Sequence, residues 1–398
     1  MALMHRAPFP DACCNNARRM GGRGRQWTRG ALATRSASER RASRGRTPLL
    51  RGGLALVAAG CLLAACGSGT PDAATHPKSS SDPSTAPASS HSVAAPKGPD
   101  CPLTGTPAPG GAVPGRSALA VKVDNYPTAR PQTGLTAADI VFEEPVEGGI
   151  TRLAAVFQCH GTTTVGPVRS ARNIDIGILG EFGNPLLVHV GGIQPVIDNV
   201  VSSPISDFEL GDYTTSIVQH PPGRVAPYDT YTSTTTVWQM RSTATHPPQP
   251  VFRFSPAVPT GTAVKSVSIP FSIYSPVVWK YDATTKKFLR FYRTSADMLA
   301  DGVQNSASNV VVQFVNVFYG PWIENSEGGL EVQANLATNA SGKAIVFRNG
   351  VRITGQWSRS SLGQPTSFTN SAGQPIAMKP GNTWVELVPT TVNVTTTP

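Results

Sequence analysis

The chain has 398 residues, with 34 lysines and arginines against 24 acidic residues and a formal net charge of +10. Twelve of the basic residues are arginines between Arg6 and Arg51, where only Asp11 and Glu39 are acidic, so 22 basic and 22 acidic residues remain elsewhere. Binding to nucleic acid requires surplus Lys and Arg on the folded part, so this balance argues against nucleic acid as a partner.

The first recognisable element is a short apolar segment that follows the arginine-rich leader. Residues 49–66 read LLRGGLALVAAGCLLAAC. The apolar run of about 15 residues is shorter than the roughly 20 that span a bilayer. A basic stretch before a short apolar run that closes on small residues is typical of a secretory signal peptide. We therefore expect residues 1–65 to be a signal peptide with an extended basic leader.

The end of this segment, LAAC, resembles the lipobox of bacterial lipoproteins, in which the cysteine is acylated and the chain is cut before it. The resemblance implies that Cys66 carries a lipid such as palmitate. It also implies that the protein is anchored to the extracytoplasmic face of the cell membrane. Residues 66–100 are rich in Ser, Pro and Thr and too poor in large apolar residues to form a core, so they predict a disordered tether.

Two cysteines remain beyond the lipobox, Cys101 and Cys159. An even pair in an oxidising compartment favours a disulfide. The alternative is that Cys159 is a nucleophile assisted by the neighbouring His160, although adjacent side chains on a strand point to opposite faces. The sequence leaves both open.

Residues 101–246 predict a mixed α/β domain. Alternating apolar and polar residues predict strands, and apolar residues at helical spacing predict helices. The predicted strands are 117–124, 140–146, 151–159 and 185–190, and the predicted helices are 171–182 and 194–201. Gly191 and Gly192 stand between the last strand and the last helix, where a backbone can approach a ligand closely.

Residues 264–390 predict a smaller β-rich domain, after a Pro-rich linker over 247–263 and before a tail over 391–398. The predicted strands are 277–281, 288–292, 310–318, 344–347, 351–355 and 383–388. Tryptophans of a small β domain usually belong to its core rather than to a sugar-binding surface. This applies here to Trp279, Trp322, Trp357 and Trp384. The predicted fold class of the whole chain is α+β.

Several segments in order resemble the YerB-like bacterial lipoproteins. They are CPLTGTPAP from Cys101, AVKVDNYPTARPQTGLTAADIVFEEPVEGGITR from Ala120, VGPVRSAR from Val165, LLVHVGG from Leu186, APYDTYTS from Ala226, YGPWIENSEGG from Tyr319, GQWSRSS from Gly355 and KPGNTWVELVP from Lys379. The resemblance implies a lipid-anchored envelope protein with two domains and implies no established reaction. Similar proteins tend to have a histidine where this chain has Tyr228, so no role of an imidazole is expected at that position.

The polar residues of the first domain form the candidate site. Arg169 and Arg172 lie in a loop that enters a helix, where guanidinium groups and helix-start amides are suited to an anion. Asp124 and Glu143, each near a strand end, are candidates for a hard cation or a general base. The candidate anion site comprises Arg169, Arg172, Arg152, Gly191 and Gly192, and the candidate polar site comprises Asp124, Asn125, Glu143, Glu147 and His189.

Each of these residues also has a structural interpretation. Glu147 and Arg152 flank a tight turn and are suited to a surface ion pair of little energetic weight. His189, inside PLLVHV, is suited to a hydrogen-bonded core position, which we favour. The arginine pair fits a salt-bridge network as well as a ligand. No metal site and no catalytic residue is identified.

Three classes of function are compatible with these features. The first, which we favour, is a non-enzymatic envelope lipoprotein that binds a cell-wall component, an anionic envelope ligand or a protein partner. The second is an enzyme acting on phosphorylated cell-wall intermediates, because the order of strand, P-x-R loop and Gly-Gly turn resembles the LytR–CpsA–Psr phosphotransferases. The third is a structural spacer. No cofactor is expected, and Mg²⁺ enters only under the enzyme alternative.

Overall fold

The computed structural model describes residues 98–212, 216–325 and 327–398. The predicted signal peptide, the lipidation site Cys66 and most of the predicted tether lie outside these residues. From residue 98 onward the chain forms one compact unit. Within the described ranges we find no helix with the length and apolar character needed to span a membrane.

Three α-helices of about two turns occur in the described part of the chain: α1 (Asn173–Leu179), α2 (Gln194–Val201) and α3 (Thr234–Met240). At the start of α1, Asp175 accepts a hydrogen bond from the Arg172 backbone N–H at 2.8 Å. At the start of α3, Ser233 Oγ accepts one from the Thr236 N–H at 3.2 Å. Both contacts satisfy amides that a helix leaves unpaired at its amino end.

Nineteen strands are present in the described part of the chain. They are β1 (Leu119–Asp124), β2 (Ile140–Pro145), β3 (Thr151–Phe157), β4 (Leu186–His189), β5 (Ser206–Glu209), β6 (Thr262–Ala263), β7 (Ser266–Pro270), β8 (Pro276–Asp282), β9 (Lys287–Tyr292), β10 (Ser295–Ala296), β11 (Ser306–Ala307), β12 (Asn309–Val315), β13 (Val317–Ile323), β14 (Leu330–Ala334), β15 (Ala340–Arg348), β16 (Val351–Arg359), β17 (Ser367–Asn370), β18 (Thr383–Pro389) and β19 (Thr395–Thr397).

The predicted mixed sheet and the β-rich carboxy-terminal part are confirmed, whereas the helices are fewer and shorter than an α+β fold would lead one to expect. The helix predicted over 171–182 ends at Leu179 and continues only as a 3-10 turn over Gly180–Phe182. The chain leaves that turn at Gly183, whose φ of +83° is a conformation that glycine adopts without strain.

One large mixed sheet runs through both halves of the chain. Its strand order is β17-β16-β15-β12-β18-β2-β3-β1-β4-β5, with β6 beside β16. The junction is the parallel pairing of β18 with β2, in which Thr383 faces Ile140 and Glu386 faces Glu143. Strands β1, β4 and β5 also run parallel to one another. Two segments more than 200 residues apart are therefore neighbours in the middle of one sheet.

The two faces of this sheet carry separate hydrophobic layers. Along β1, Leu119, Val121 and Val123 belong to one layer and Ala120 belongs to the other, as expected from the alternation of side chains along a strand. The second layer also receives Val251 and Phe252 from the Pro-rich segment 247–263, so that segment packs against the core.

Three of the four tryptophans lie in the core, as predicted. Trp279 and Trp384 are buried in one layer and Trp357 in the other, while Trp322 is half-buried. Trp279 and Trp384 contact each other edge to face, with ring centroids 5.2 Å apart. This geometry is favourable for aromatic pairs and fixes the packing of the second sheet on the first.

The second sheet has the order β10-β9-β8-β7-β19, with β11 beside β9, and β13 and β14 form a separate two-stranded ribbon. The predicted disulfide is confirmed, since Cys101 and Cys159 are bonded with their Cα atoms 6.0 Å apart. The alternative of Cys159 as a free nucleophile is therefore wrong for this state of the chain. A thiol in a disulfide cannot attack a substrate.

Candidate functional site

The parallel strands β1, β4 and β5 bring polar residues together at one edge of the large sheet. The three strands end at Asp124, His189 and Glu209. Because parallel strands finish at the same edge, these three residues lie side by side; we call this the carboxyl edge. In open α/β sheets ligands bind at such an edge, beyond the strand ends.

Arg169 lies on the carboxyl edge because its loop crosses the end of β1. The Arg169 N–H donates to Lys122 O at 2.9 Å, and the guanidinium Nε donates to Asp124 Oδ2 at 2.8 Å. Its side chain is 29% exposed, and its Cζ lies 5.9 Å from the centre of the Tyr228 ring. Among the described residues, no other side chain accepts a hydrogen bond from this guanidinium, so its Nη atoms are open to a ligand.

His189 is buried and holds two carboxylates, which agrees with the favoured core interpretation. Its Nε2 lies 2.7 Å from Asp207 Oδ1 and its Nδ1 lies 3.1 Å from Glu209 Oε2. Burial acts to lower the pKa of His189, but the hydrogen bonds to Asp207 and Glu209 outweigh burial and raise it to about 10. The ring is therefore a fixed cation between β4 and β5 rather than a base open to substrate.

Gly191 and Gly192 form the turn from β4 into α2 at the same edge. Gly191 has a φ of +72°, and its N–H donates to Glu209 Oε2 at 2.8 Å. A side chain on Gly192 would collide with Ile197. The turn therefore needs glycine at position 191 for its conformation, whereas a Cβ at Gly192 would only require the flexible end of Ile197 to move. Glu209 accepts the hydrogen bond of the Gly191 N–H.

Arg172 does not form an anion cradle with Arg169, which was one interpretation of the arginine pair in the sequence. It belongs to a salt-bridge network, which was the other interpretation. Arg172 is 2% exposed, and its guanidinium donates hydrogen bonds to the Glu147 carboxylate, with Nε 2.9 Å from Oε2. Arg152 Nη2 lies 3.3 Å from the same carboxylate, and it too is buried. The Glu147–Arg152 pair predicted at the surface thus exists inside the protein, as part of a triad with Arg172.

The triad fixes the charge of Glu147. Burial acts to raise the pKa of Glu147, but the hydrogen bond from Arg172 and the charges of both arginines lower it to about 2. For Arg152, burial and the nearby charge of Arg172 lower the pKa to about 10. These groups stabilise the fold and are not free to bind a ligand.

Asn125 and Glu143 lie in the interior, where the two halves of the chain pack against each other. Glu143 accepts hydrogen bonds from Asn125 Nδ2 at 3.1 Å and from Thr151 Oγ1 at 2.7 Å, and it pairs with Arg290 of β9. All of these side chains are buried. The predicted role of Glu143 as a cation ligand or general base does not fit a carboxylate with this many partners. Across the described ranges, no group of three or more His, Cys, Asp and Glu side chains is arranged for a metal ion.

Asp207 and Glu209 are site residues that the sequence analysis missed. They flank the buried Phe208 in β5, so both side chains lie on the other face of the strand from Phe208. The alternation of polar and apolar residues in Ser-Asp-Phe-Glu indicates that Asp207 and Glu209 share one face of a strand. The strand is only four residues long, however, and is a weak signal beside the predicted helix that precedes it.

Comparisons with known proteins agree with the predicted family. The description "Protein of unknown function (DUF3048) N-terminal domain" matches residues 103–246, and the corresponding C-terminal domain matches residues 267–385. YerB of Bacillus subtilis (strain 168), a protein named as a lipoprotein, is 29% identical over 287 residues, which cover 69% of this chain and 82% of YerB. The crystal structure of YerB has a TM-score of 0.64 at 24% identity and covers 74% of this chain and 99% of its own. The chain therefore belongs to the YerB-like family of two-domain proteins.

Proposed function

We propose that this protein is a lipid-anchored protein of the bacterial cell envelope that binds an anionic envelope ligand at the carboxyl edge. The anchor is Cys66, and support for it comes from the LAAC sequence and from the naming of YerB as a lipoprotein. Residues 67–97 then tether the folded part. In this arrangement the folded part stays close to the extracytoplasmic face.

The observation that carries the binding function is the position of Arg169. Asp124 holds its Nε at 2.8 Å, and more than a quarter of the side chain is exposed. A guanidinium anchored on one side presents its two Nη atoms in a fixed direction, which suits a phosphate or carboxylate. Tyr228 beside it offers an aromatic surface to the rest of the ligand.

We favour binding over catalysis because the acid–base candidates of this region already have partners. His189 is held between Asp207 and Glu209, and Glu143 is held by Arg290. A general base needs a free lone pair within reach of the substrate. The spacer alternative draws its support from the burial of Arg172 and Arg152 by Glu147, and it predicts that no ligand binds.

Thermal unfolding of the full chain in detergent tests the proposal against the enzyme and spacer alternatives. The panel comprises pyrophosphate, a polyprenyl phosphate and a muropeptide, each with and without Mg²⁺. A ligand at one hundred times its Kd should stabilise the folded state by about 2.7 kcal/mol. We expect Arg169→Gln to abolish the shift and Arg293→Gln, an exposed arginine in the turn between β9 and β10, to keep it. No shift with any ligand would contradict the proposal, and turnover of a phosphorylated ligand would favour the enzyme.

A further inference from the structure

A cavity of about 650 Å³ lined by both polar and apolar residues lies between the two halves of the chain, near the amino-terminal end of β2. In the sheet, Ile140 of β2 faces Val156 of β3, which faces Ala120 near the start of β1. The cavity is therefore at the opposite end of these strands from the carboxyl edge. Six residues of β1 separate the two ends, a distance of about 20 Å. This cavity is a different site from the one at Arg169.

His160 lines the cavity with its ring held in one orientation. Its Nδ1 lies 2.6 Å from Asp139 Oδ1. Asp139 is buried, and its Oδ2 accepts hydrogen bonds from the backbone N–H groups of Gln158 at 2.6 Å and Cys159 at 3.0 Å. The His160 side chain is 45% exposed. A carboxylate that occupies Nδ1 leaves Nε2 as the nitrogen that can meet a ligand.

The disulfide holds the opposite wall in place. Cys159 precedes His160, and its partner Cys101 begins a tight loop in which the Cys101 N–H donates to Thr106 O at 2.7 Å. Thr104 and Thr106 of this loop line the cavity, with their hydroxyl oxygens 2.7 Å apart. The disulfide therefore connects the loop that carries Thr104 and Thr106 to Cys159, the residue before His160.

The charges around the cavity are of both signs, because Asp282 faces Lys287 across the β8–β9 hairpin and Asp301 accepts a hydrogen bond from the Val303 N–H at 3.0 Å. Lys287 of β9 lines it, and Lys286 and Lys379 lie nearby, with Lys379 Nζ donating to Lys286 O at 2.7 Å. Asp139 is the acidic member of the lining set, and its oxygens are occupied by His160 and by two backbone amides. With Lys287 on its wall, the hydrogen-bonded Asp139 facing His160, and the His160 ring protonated, the cavity favours a negatively charged occupant.

Beside the apolar Pro107, Ala137, Ala138 and Val303, the lining contains hydroxyl and amide groups that indicate the nature of the rest of the ligand. They are Thr104, Thr106, Thr136, Ser306 and Asn382. We propose that this cavity binds a small hydroxylated anion, a polyol bearing a phosphate or carboxylate, with His160 and Lys287 on the charged group. The hydroxyl side chains then bind the hydroxyl groups of the ligand. The proposal does not depend on the function of Arg169.

Binding at this cavity should depend on pH through His160. The hydrogen bond to Asp139 raises the pKa of His160 above its usual 6.5, against the lowering effects of burial and of Arg116. The charged groups around the ring are Asp139, Arg116 and Lys287. A protonated ring attracts an anion, so affinity is highest below the His160 pKa and falls above it.

Isothermal titration calorimetry of the full chain in detergent tests this proposal. The probes are glycerol 3-phosphate and glucuronate, which separate phosphate from carboxylate recognition, and glycerol, which lacks the charge. We expect one or both anions to bind at pH 6 and glycerol not to bind. His160→Gln and Lys287→Gln should each weaken binding about tenfold or more, since each removes a charge-assisted contact.

Matched variants keep the test decisive. Lys343→Gln, an exposed lysine of β15, should leave binding unchanged, and the binding that persists in Arg169→Gln belongs to this cavity. Lys287 lies on β9, in the other half of the chain from His160, so the Lys287→Gln variant is informative even if loss of His160 disturbs the fold. Raising the pH from 6 to 9 should weaken glucuronate binding in the wild type and not in His160→Gln. The proposal is overturned if neither anion binds, if glycerol binds equally well, or if both variants bind as the wild type does.

Discussion

Glu143 and Glu386 lie side by side on the parallel strands β2 and β18, and both side chains are fully buried. Arg290 pairs with Glu143, while Glu386 accepts a hydrogen bond from Trp279 Nε1 at 2.7 Å. Burial raises the pKa of Glu386 well above its usual 4.5, and the charge of Glu143 raises it further. The carboxyl group of Glu386, at the junction of the two halves, therefore binds its proton more tightly in the folded chain than in the unfolded chain.

The first prediction concerns the pH dependence of stability caused by Glu386. The unfolded chain releases its Glu386 proton near pH 4.5 and the folded chain releases it at a higher pH, so the free energy of unfolding falls as the pH rises above 4.5. The slope from one such group is about 1.4 kcal/mol per pH unit. Glu386→Gln preserves the neutral state and an acceptor for Trp279. Urea unfolding should show the variant to be the more stable protein at pH 8 and similar to the wild type at pH 4. If the free energies of unfolding of the variant and the wild type differ by the same amount at both pH values, Glu386 does not have a raised pKa in the folded chain.

The second prediction concerns the triad of Glu147, Arg152 and Arg172. Because the folded-state pKa of Glu147 is about 2, its contribution to stability is present above the unfolded value of about 4.5 and is lost as the pH falls through 2. Glu147→Gln should lower the free energy of unfolding at pH 7 by about 3 kcal/mol. The control is Glu327→Gln, an exposed glutamate, which should change little. If both variants have the same stability at pH 7, the triad is not a stabilising element.

The third prediction concerns the disulfide. Cys101 and Cys159 are 58 residues apart in sequence. In the chain-entropy description, closing a loop of this length stabilises the folded state by about 4 kcal/mol. Replacing both cysteines by serine should therefore lower the urea midpoint clearly, and a reducing agent should do the same to the wild type. If the double variant unfolds at the wild-type midpoint, the bond does not stabilise the chain.

The fourth prediction concerns the anchor. Cys66→Ser should release the protein from the membrane fraction, because the thiol that carries the lipid is missing. Mass spectrometry of the wild type extracted from membranes should show Cys66 as an acylated amino-terminal residue. The control is Cys61→Ser, which removes a cysteine of the leader and should leave the anchored protein unchanged. Membrane attachment of the Cys66→Ser protein would show that another element anchors the chain.

Features that depend on local pattern could be predicted from the sequence. The strands over 140–146 and 151–159 and the helix over 194–201 follow from periodicity and turn residues, and the structure has them within two residues. The disulfide followed from cysteine count and compartment. Burial of Trp279 followed from the usual place of such rings. In each case the decisive information lies within about ten residues or in composition.

Features that depend on distant partners could not be predicted in this way. The sequence does not say that β18 inserts beside β2, because parallel pairing across the chain leaves no local mark. For the same reason Arg172 could not be assigned to Glu147 rather than to a ligand, although both residues were identified. The partners of His189 were missed because Asp207 and Glu209 come from another strand. The sequence therefore identified the polar residues, and the structure was needed to identify their partners.

Equilibrium binding to membranes tests directly whether the carboxyl edge binds an anion outside the membrane through Arg169. Right-side-out vesicles carrying the wild type, Arg169→Gln or Arg293→Gln would be dialysed against radiolabelled pyrophosphate, with the amount of protein matched. We predict saturable binding to the wild-type and Arg293→Gln vesicles and at least a tenfold loss with Arg169→Gln, since a charge-assisted contact is removed. Equal binding by wild-type and Arg169→Gln vesicles, or no saturable binding by the wild type, would contradict the account.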